Sequence, residues 1–578
     1  MQIDNSIMER VNVWLNGNYD IQTKEQINNL IENDKQELVE SFYKTMEFGT
    51  GGLRGKMGVG SNRMNKYTVG CATQGLANYL LEVYGAGAEI KVAVACDSRN
   101  NSDVFSKTVA QIFAANSIKV YLFDSLRPVP ELSFAIRHLG CQSGVVITAS
   151  HNPKVYNGYK AYWNDGGQVT EPHDTNIIKA VNAITSVDEV KWSGNEEDIT
   201  IISEDVDAAY LKEVKALSLS SDAIKEFGDI KIVYSPIHGS GYKLVPRALK
   251  ESGFTNIFTV EEQMTPNGDF PTVESPNPEE AGALKMAIAK ADEVGASLVF
   301  ATDPDADRLG VAVRDNNGDM ILLNGNQTAA ILTNYILERK NALAQLTGSE
   351  FIVKTVVTTD LMTKIAASYN VACMNVLTGF KYIAKVIKEN EGKLQYICGG
   401  EESYGFSVGD FVRDKDSISS SVMVCEVAAW AASQGKTLYQ YMIDVYVKYG
   451  FFKEGLISIT KEGKSGAEEI KEMMCSMREN PLTSICGEKV IKIADYKKRE
   501  IYNVESGTTT PINYPVSDVL QYITESDTIV SMRPSGTEPK IKFYFGVREP
   551  LSSAEEFESV NVKALEKIDK IKAELKLV

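Results

Sequence analysis

Apolar positions recur at helical spacing through the first forty residues. Ile27, Leu30 and Ile31 are followed by Leu38, with acids between them, and this stretch is predicted to be helix. A glycine-rich segment, Phe48 to Gly55, then reads as a loop. Beyond it, helix-period segments alternate with short apolar runs at Ile90–Ala95, Ile118–Phe123, Gly144–Ile147, Ile230–Val233, Ser297–Ala301, Phe351–Val357 and Leu394–Ile397. Each run is predicted to be a strand, and the alternation predicts mixed α/β domains. After about Phe452 the pattern changes. Gly455–Thr460 and Val490–Ile493 read as strands, a Ser-Gly-Thr-Thr-Thr segment follows at 506–510, and an amphipathic last helix starts near Ala554. This part is expected to be a separate, smaller α+β domain.

The chain has 578 residues, too many for one hydrophobic core; domains of about 100–200 residues predict roughly three to five of them. Sixty basic against 77 acidic side chains leave a net charge of −17. That balance argues against a basic nucleic-acid footprint, and it requires that any anionic substrate be captured by local basic groups. The N-terminal sequence has no apolar core before a cleavage site, and no run of about 18 apolar residues occurs, so neither a signal peptide nor a membrane span is expected. The eight cysteines are scattered without a Cys-x-x-Cys pair, as in reduced cytoplasmic proteins. The four histidines, His138, His151, His173 and His238, are too dispersed to suggest a zinc site.

Three predicted strands run straight into small and polar residues, in Val145-Val-Ile-Thr-Ala-Ser150, Leu298-Val-Phe-Ala-Thr-Asp303 and Leu394-Gln-Tyr-Ile-Cys-Gly-Gly-Glu-Glu402. Ligand-binding loops of α/β sheets lie at the carboxyl ends of strands. The loops are about a domain apart, which reads as a diverged structural repeat. In the second of them, Asp303, Asp305 and Asp307 alternate, so their carboxylates can converge on a hard divalent cation. A solvated acidic turn is the competing reading. An EF-hand is excluded, because Arg308 stands at its glycine position and Arg314 at its final glutamate. A Mg²⁺-dependent phosphatase with Asp-x-Asp after a strand would need neither the third aspartate nor Arg308.

In Ile147-Thr-Ala-Ser-His-Asn-Pro153, Ser150 sits on a strand-to-loop corner that Pro153 prevents from continuing as helix. It is expected to be exposed, and as a nucleophile it needs a base or a metal. A Gly-x-Ser-x-Gly elbow is absent. Tyr156–Lys160 is read as a turn whose lysine reaches back to the same pocket. Glu401 and Ser403, alternating in the third loop, suit the vicinal hydroxyls of a sugar; a plain turn is the competing reading. Finally, Arg533-Pro-Ser-Gly-Thr-Glu-Pro-Lys540 combines a guanidinium with Ser535, Thr537 and the flexible backbone at Gly536, a set suited to a phosphate. It lacks the Gly-Lys-Ser/Thr ending of a P-loop.

With these motifs in this order over nearly the whole chain, the sequence resembles the α-D-phosphohexomutases, the family of phosphoglucomutase and phosphomannomutase. The matching segments are Thr148–Pro153, Asp303–Arg308, Gly400–Ser403 and Arg533–Lys540; Phe48–Asn65 and Thr378–Lys381 (Thr-Gly-Phe-Lys) look like the long branch that holds bacterial phosphoglucomutases and phosphopentomutases. The resemblance implies four domains in a heart-like arrangement, three similar mixed α/β domains and a smaller C-terminal α+β domain, with boundaries at 1–205, 206–320, 321–452 and 453–578. It implies a phosphoserine at Ser150 and Mg²⁺ held by Asp303, Asp305, Asp307 and a phosphoserine oxygen. His151 and Lys160 become acid–base candidates, and Arg54 and Arg308 flank the phosphoryl group. Thr378, Gly379 and Lys381 lie near the glycosidic end of the substrate, Glu401 and Ser403 read sugar hydroxyls, and Arg533, Ser535, Gly536 and Thr537 hold the non-reacting phosphate. The implied reaction interconverts glucose 1-phosphate and glucose 6-phosphate through glucose 1,6-bisphosphate, in a cytoplasmic monomer or dimer. Phosphomannomutase, phosphopentomutase and a Mg²⁺-dependent sugar phosphatase are the rival activities. Ser417 stands where the family usually has glycine, after Arg413-Asp-Lys-Asp416, which leaves that loop's conformation open.

Overall fold

Three aspartates decide how the chain begins. In the computed structural model, which describes residues 3–85, 87–461, 463–535 and 540–577, Asp4, Asp20 and Asp34 each accept a hydrogen bond from a backbone N–H two or three residues on. Such caps satisfy otherwise orphaned donors. They divide the expected helical stretch into three helices, Asn5–Asn16, Ile21–Asn33 and Lys35–Phe42. These bury Ile7, Val11, Trp14, Ile27, Leu38 and Phe42 against Tyr67, on the helix Lys66–Tyr84.

The chain divides into two compact units, Met1–Gly325 with Phe380–Gln434, and Asn326–Gly379 with Gly435–Val578. The first unit holds two larger sheets. One contains strands β1 (Gly52–Lys56), β2 (Lys91–Cys96), β3 (Lys119–Phe123), β4 (Ser143–Ile147), β5 (Tyr156–Trp163) and β6 (Ile199–Ile202), in the order β1-β5-β4-β2-β3-β6. Strands β2, β3, β4 and β6 run parallel, and β5 runs antiparallel to both β1 and β4. Every residue of β4 is buried, as expected of a strand covered on both faces. The other sheet holds β7 (Ile232–Ser235), β8 (Ile257–Thr259), β9 (Leu298–Thr302), β10 (Leu309–Arg314) and β11 (Met320–Leu323), in the order β11-β10-β9-β7-β8. Strand β9 is likewise wholly buried and ends at the residue before Asp303. Still in this unit, Gln395–Gly400 pairs antiparallel with Phe406–Val408, and residues 401–405 connect them.

In the second unit, Glu350–Thr355 and Ala372–Val376 pair parallel. Its remainder is an antiparallel sheet with Phe451–Thr460 beside Lys540–Glu549, then Ile529–Pro534, Leu520–Thr524 and Glu488–Asp495. The helix Phe557–Glu574 packs on this sheet, which gives the expected α+β character. Among the described residues no helix is long and apolar enough to cross a membrane.

Two local expectations are corrected. Tyr156–Lys160 is not a turn, because those residues open β5, in which every residue after Tyr156 is buried. The Asn157-Gly158 pair resembles a turn signal, but Gly158 is needed for close packing. A Cβ there would meet the Thr148 carbonyl at 2.5 Å and the Leu53 carbonyl at 2.8 Å. The glycine-rich segment is not wholly loop either, since β1 begins inside it at Gly52. Gly52, at φ +136°, leaves no room for a side chain against the Tyr159 carbonyl. Gly158→Ala should therefore force β1, β5 and the Ser150 loop apart, at a cost of about 1–3 kcal/mol. The expected readout is a lower urea-unfolding midpoint for the domain that carries Ser150, followed by tryptophan fluorescence; an unchanged midpoint would refute the packing argument.

Candidate active site

The first unit brings three of the four motifs onto loops at strand ends, and each loop contains a non-glycine residue with left-handed backbone: Ser150 (φ +52°), Ala306 (φ +52°) and Tyr404 (φ +64°). Such residues cost on the order of 1–3 kcal/mol and persist only when their surroundings over-determine them. Here they do. Ser150 N–H donates to Thr148 Oγ1 at 2.8 Å. Asp303 Oδ1 accepts from the N–H groups of Asp307 and Arg308 at 3.1 and 3.0 Å. The third loop is tied to the second, because Leu309 N–H donates to the Tyr404 carbonyl at 3.0 Å.

Asp303, Asp305 and Asp307 are buried, and a carboxylate oxygen of each lies within 4.8 Å of the other two. Cations from outside the loop balance part of this charge. Lys160, on β5, places Nζ 2.7 Å from Asp305 and 3.3 Å from Asp307. Lys415 places Nζ 3.1 Å from both Asp307 and Asp414. Burial alone would raise the Asp307 carboxyl, but Lys415, Lys160 and Arg308 outweigh it and hold that group below the usual carboxylate range. Asp303 goes the other way: burial first, then the Asp305 and Asp307 carboxylates, push it well above that range. Asp305 Oδ1 and Asp307 Oδ1 are buried without a hydrogen-bond partner. Two orphaned oxygens beside a third carboxylate that resists ionising are a donor set suited to a hard divalent cation, which would offset the repulsion between the carboxylates.

Ser150 is not exposed as expected but 3% accessible, because its corner is enclosed by the aspartate loop. Its Oγ donates to Asp303 Oδ2 at 2.7 Å and lies 3.2 Å from His151 Nδ1. Desolvation, then Arg308 and Arg54, hold the His151 imidazole well below its usual value, so it stays neutral near pH 7. Lys160 is opposite in character. Burial disfavours its charge, but Asp305 and Asp307 more than compensate, and it stays an ammonium. Arg54 is exposed and donates to Asn152 Oδ1 at 3.4 Å. Arg308 donates to Glu279, and Lys381 Nζ lies 3.4 Å from the Thr50 carbonyl. Glu401 is buried, and its charge acts on both Arg308 and Lys415, while Ser403 is half-buried beside it.

Thr378, Gly379, Arg533 and Ser535 belong to the second unit. Arg533 is half-buried on Ile529–Pro534 opposite Lys542, and Ser535 N–H donates to the Lys540 carbonyl at 2.7 Å. Gly536 and Thr537 lie outside the described residues. The open question at Ser417 is resolved: it is the first residue of the helix Ser417–Ser433, capped by Asp416, which accepts from the N–H groups of Ile418 and Ser419. A helical residue needs no glycine. Sequence reasoning missed Lys415 and Glu279. Lys415 stands in the Arg-Asp-Lys-Asp segment that was already singled out, and a lysine between two aspartates was the available signal; for Glu279 there was none.

Family models describing the phosphoglucomutase/phosphomannomutase α/β/α domains I, II and III match residues 45–188, 208–318 and 324–449. A phosphoglucomutase of Staphylococcus aureus (strain USA300) is 36% identical over 514 residues, 88% of this chain and 91% of that protein. A phosphoglucomutase of Staphylococcus saprophyticus is 35% identical over 537 residues, 89% and 95% of the two chains. The crystal structure of pp63/parafusin, a phosphoglucomutase from Paramecium, in its open form, shares the fold at TM-score 0.67 and 17% identity, covering 91% of this chain and 96% of its own. A Burkholderia thailandensis protein described as of the phosphoglucomutase/phosphomannomutase family does so at TM-score 0.62 and 18% identity, covering 91% and 97%.

The buried aspartates generate a direct test. Asp305→Asn removes one charged oxygen from the set and is expected to weaken Mg²⁺ binding by roughly tenfold or more, measured by titration calorimetry. Unchanged affinity would mean that the three carboxylates do not form the cation site.

Proposed function

The chain belongs to the phosphoglucomutase/phosphomannomutase family, the α-D-phosphohexomutases, and from that premise we propose that this phosphohexomutase interconverts glucose 1-phosphate and glucose 6-phosphate through a phosphoserine at Ser150 and glucose 1,6-bisphosphate. The observation that carries the reading is the contact between Ser150 Oγ and the aspartate set, 2.7 Å from Asp303 Oδ2, with His151, Arg308 and Lys160 around it. Glucose is favoured over mannose or ribose because relatives at about 35% identity carry the name phosphoglucomutase.

In this reading the Oγ–phosphorus bond of phosphoserine breaks as a bond forms to the free hydroxyl of the bound sugar phosphate. The hydroxyl proton passes to a base, for which neutral His151 is suited, while the Lys160 ammonium is suited to supply a proton to Oγ. Asp303, Asp305 and Asp307, with an oxygen of the phosphoryl group, would hold Mg²⁺, which when bound neutralises charge on the transferring oxygens. Arg308 and Arg54 supply further positive charge. The bisphosphate then presents its other phosphate to Ser150. Glu401 and Ser403 hold sugar hydroxyls in both orientations, and Lys381 with Thr378 and Gly379 attends the glycosidic end. Arg533, Ser535, Gly536 and Thr537 clamp the phosphate that is not reacting. The proposed domain boundaries are 1–205, 206–320, 321–452 and 453–578. The phosphatase alternative would need Asp303 as nucleophile, yet Asp303 already accepts three hydrogen bonds, from Ser150 and two backbone N–H groups.

Comparing kcat/KM on glucose 1-phosphate, mannose 1-phosphate and ribose 1-phosphate tests the substrate, and glucose 1-phosphate is expected to lead. Ser150→Ala is expected to lower mutase activity by roughly a thousandfold or more, with the phosphate adduct lost from the intact mass; a variant of near wild-type activity would refute the phosphoserine. For the clamp, Arg533→Ala is expected to raise KM roughly ten- to a hundredfold for the 1-phosphate and the 6-phosphate alike. Impairment in one direction only, once the equilibrium constant is allowed for, would exclude a shared clamp.

A further inference from the structure

One buried arginine grips the Ser150 loop and takes no part in the chemistry outlined above. Arg99 stands three residues beyond β2 and is 3% exposed. Its Nη1 donates to the carbonyls of Pro153 and Tyr156 at 3.0 Å each, and its Nη2 donates to the carbonyls of Ser150 and Asn152. A single guanidinium thus gathers four carbonyls between Ser150 and the first residue of β5. The Ser150 carbonyl among them is buried and requires a partner, and a residue that leaves its sheet with left-handed backbone does not find one in the sheet.

The arginine is itself held from three sides. Asp97 Oδ1 accepts from Arg99 N–H and from Ser102 Oγ, both at 2.9 Å, and Asp97 Oδ2 lies 3.5 Å from Arg99 Nε. The face of Phe270 lies 5.2 Å from the guanidinium carbon. Asn157 Nδ2 donates to the Asn100 carbonyl and to Ser102 Oγ at 3.0 Å each, tying the arginine's own segment to β5.

The division of labour across the loop is specific. Arg99 engages only carbonyl oxygens. The side-chain atoms are left to the opposite side, where Ser150 Oγ meets Asp303 and Asn152 Oδ1 meets Arg54. The gripped carbonyl of Ser150 belongs to the residue at φ +52°, so the contact bears on the backbone that aims Oγ. We propose that Arg99, anchored by Asp97, is a positioning residue for phosphoryl transfer: it locks the left-handed turn at Ser150 and so aims Oγ at the aspartate set. This rests on the reading of Ser150 as the phosphoryl carrier. A lysine keeps the charge but presents a single nitrogen, which cannot reproduce a planar fork across four acceptors.

The test uses the full chain, with wild type, Arg99→Lys and Asp97→Asn compared under saturating glucose 1,6-bisphosphate. A misplacement of the reacting atom by about an ångström costs on the order of a hundredfold in rate. Arg99→Lys is therefore expected to lower kcat by about that factor while KM for glucose 1-phosphate stays within roughly twofold. The rate at which glucose 1,6-bisphosphate rephosphorylates Ser150 in the dephosphorylated protein, followed by intact mass, should fall in proportion. Asp97→Asn leaves the fork in place and weakens its anchor, so a smaller fall in kcat of the same kind is expected; this variant carries the test if Arg99→Lys does not fold. All rates are normalised to folded protein by the thermal transition. Wild-type kcat and rephosphorylation in the folded variants, or a loss that vanishes on normalisation, would overturn the positioning role and leave the phosphoserine reading intact. Absence of phosphate on Ser150 in wild type would overturn both.

Discussion

Three carboxylates confined within 4.8 Å and cut off from water are the constraint from which the rest of the first unit follows. At an effective dielectric of about 20, each ionised pair at this spacing repels by roughly 3–4 kcal/mol, so three ionised groups approach the net stability of an ordinary domain. The loop cannot exist in this form alone. It is compensated from distant parts of the chain, by Lys160 on β5 and by Lys415 just before the helix Ser417–Ser433. The serine loop, the aspartate loop and the segment around Asp414 are therefore coupled through charge, and none can move far without leaving a buried ion unpaired.

Hydrogen bonding reinforces the same coupling. Asp414 also accepts from Tyr162 at 2.7 Å, and Ser417 Oγ donates to the Ala306 carbonyl. Most of these groups lie on or beside β4 and β9, which are wholly buried, and β5, buried after its first residue, so the site is assembled on rigid elements. Left-handed residues in all three loops then have a common origin: each chain must turn sharply at the sheet edge to bring a polar group toward the same centre.

Much of this was legible before any coordinates. Strands β2, β3, β4, β7 and β9 were read from apolar runs to within two residues; the three aspartates stood out by their alternation and Ser150 by its strand-to-loop corner, while Arg308 entered through the family resemblance. What escaped was information that a local pattern does not carry. The Asn157-Gly158 pair has the composition of a turn, and only the approach of two neighbouring strands reveals why glycine is there. Ser150 looked exposed because its cover is supplied by residues about 150 positions later. Lys415 and Arg99 are lysine and arginine in polar segments, indistinguishable by type from solvated surface residues; their burial depends on partners remote in sequence. The segment proposed to clamp a phosphate stood out as a motif, and its Arg533 sits on a strand of the second unit, with Gly536 and Thr537 beyond the described residues.

The backbone at Ser150 has an evolutionary corollary. At φ +52° a second substituent on Cβ crowds the main chain, and β-branched residues are genuine outliers there. Threonine carries the same hydroxyl, yet it would have to abandon either its rotamer or the turn. Drift at this position is thus steered toward residues without a branch at Cβ, and a threonine carrier would require a differently shaped corner first. The identity of the side chain is dictated as much by the geometry of its peptide as by the chemistry of its oxygen.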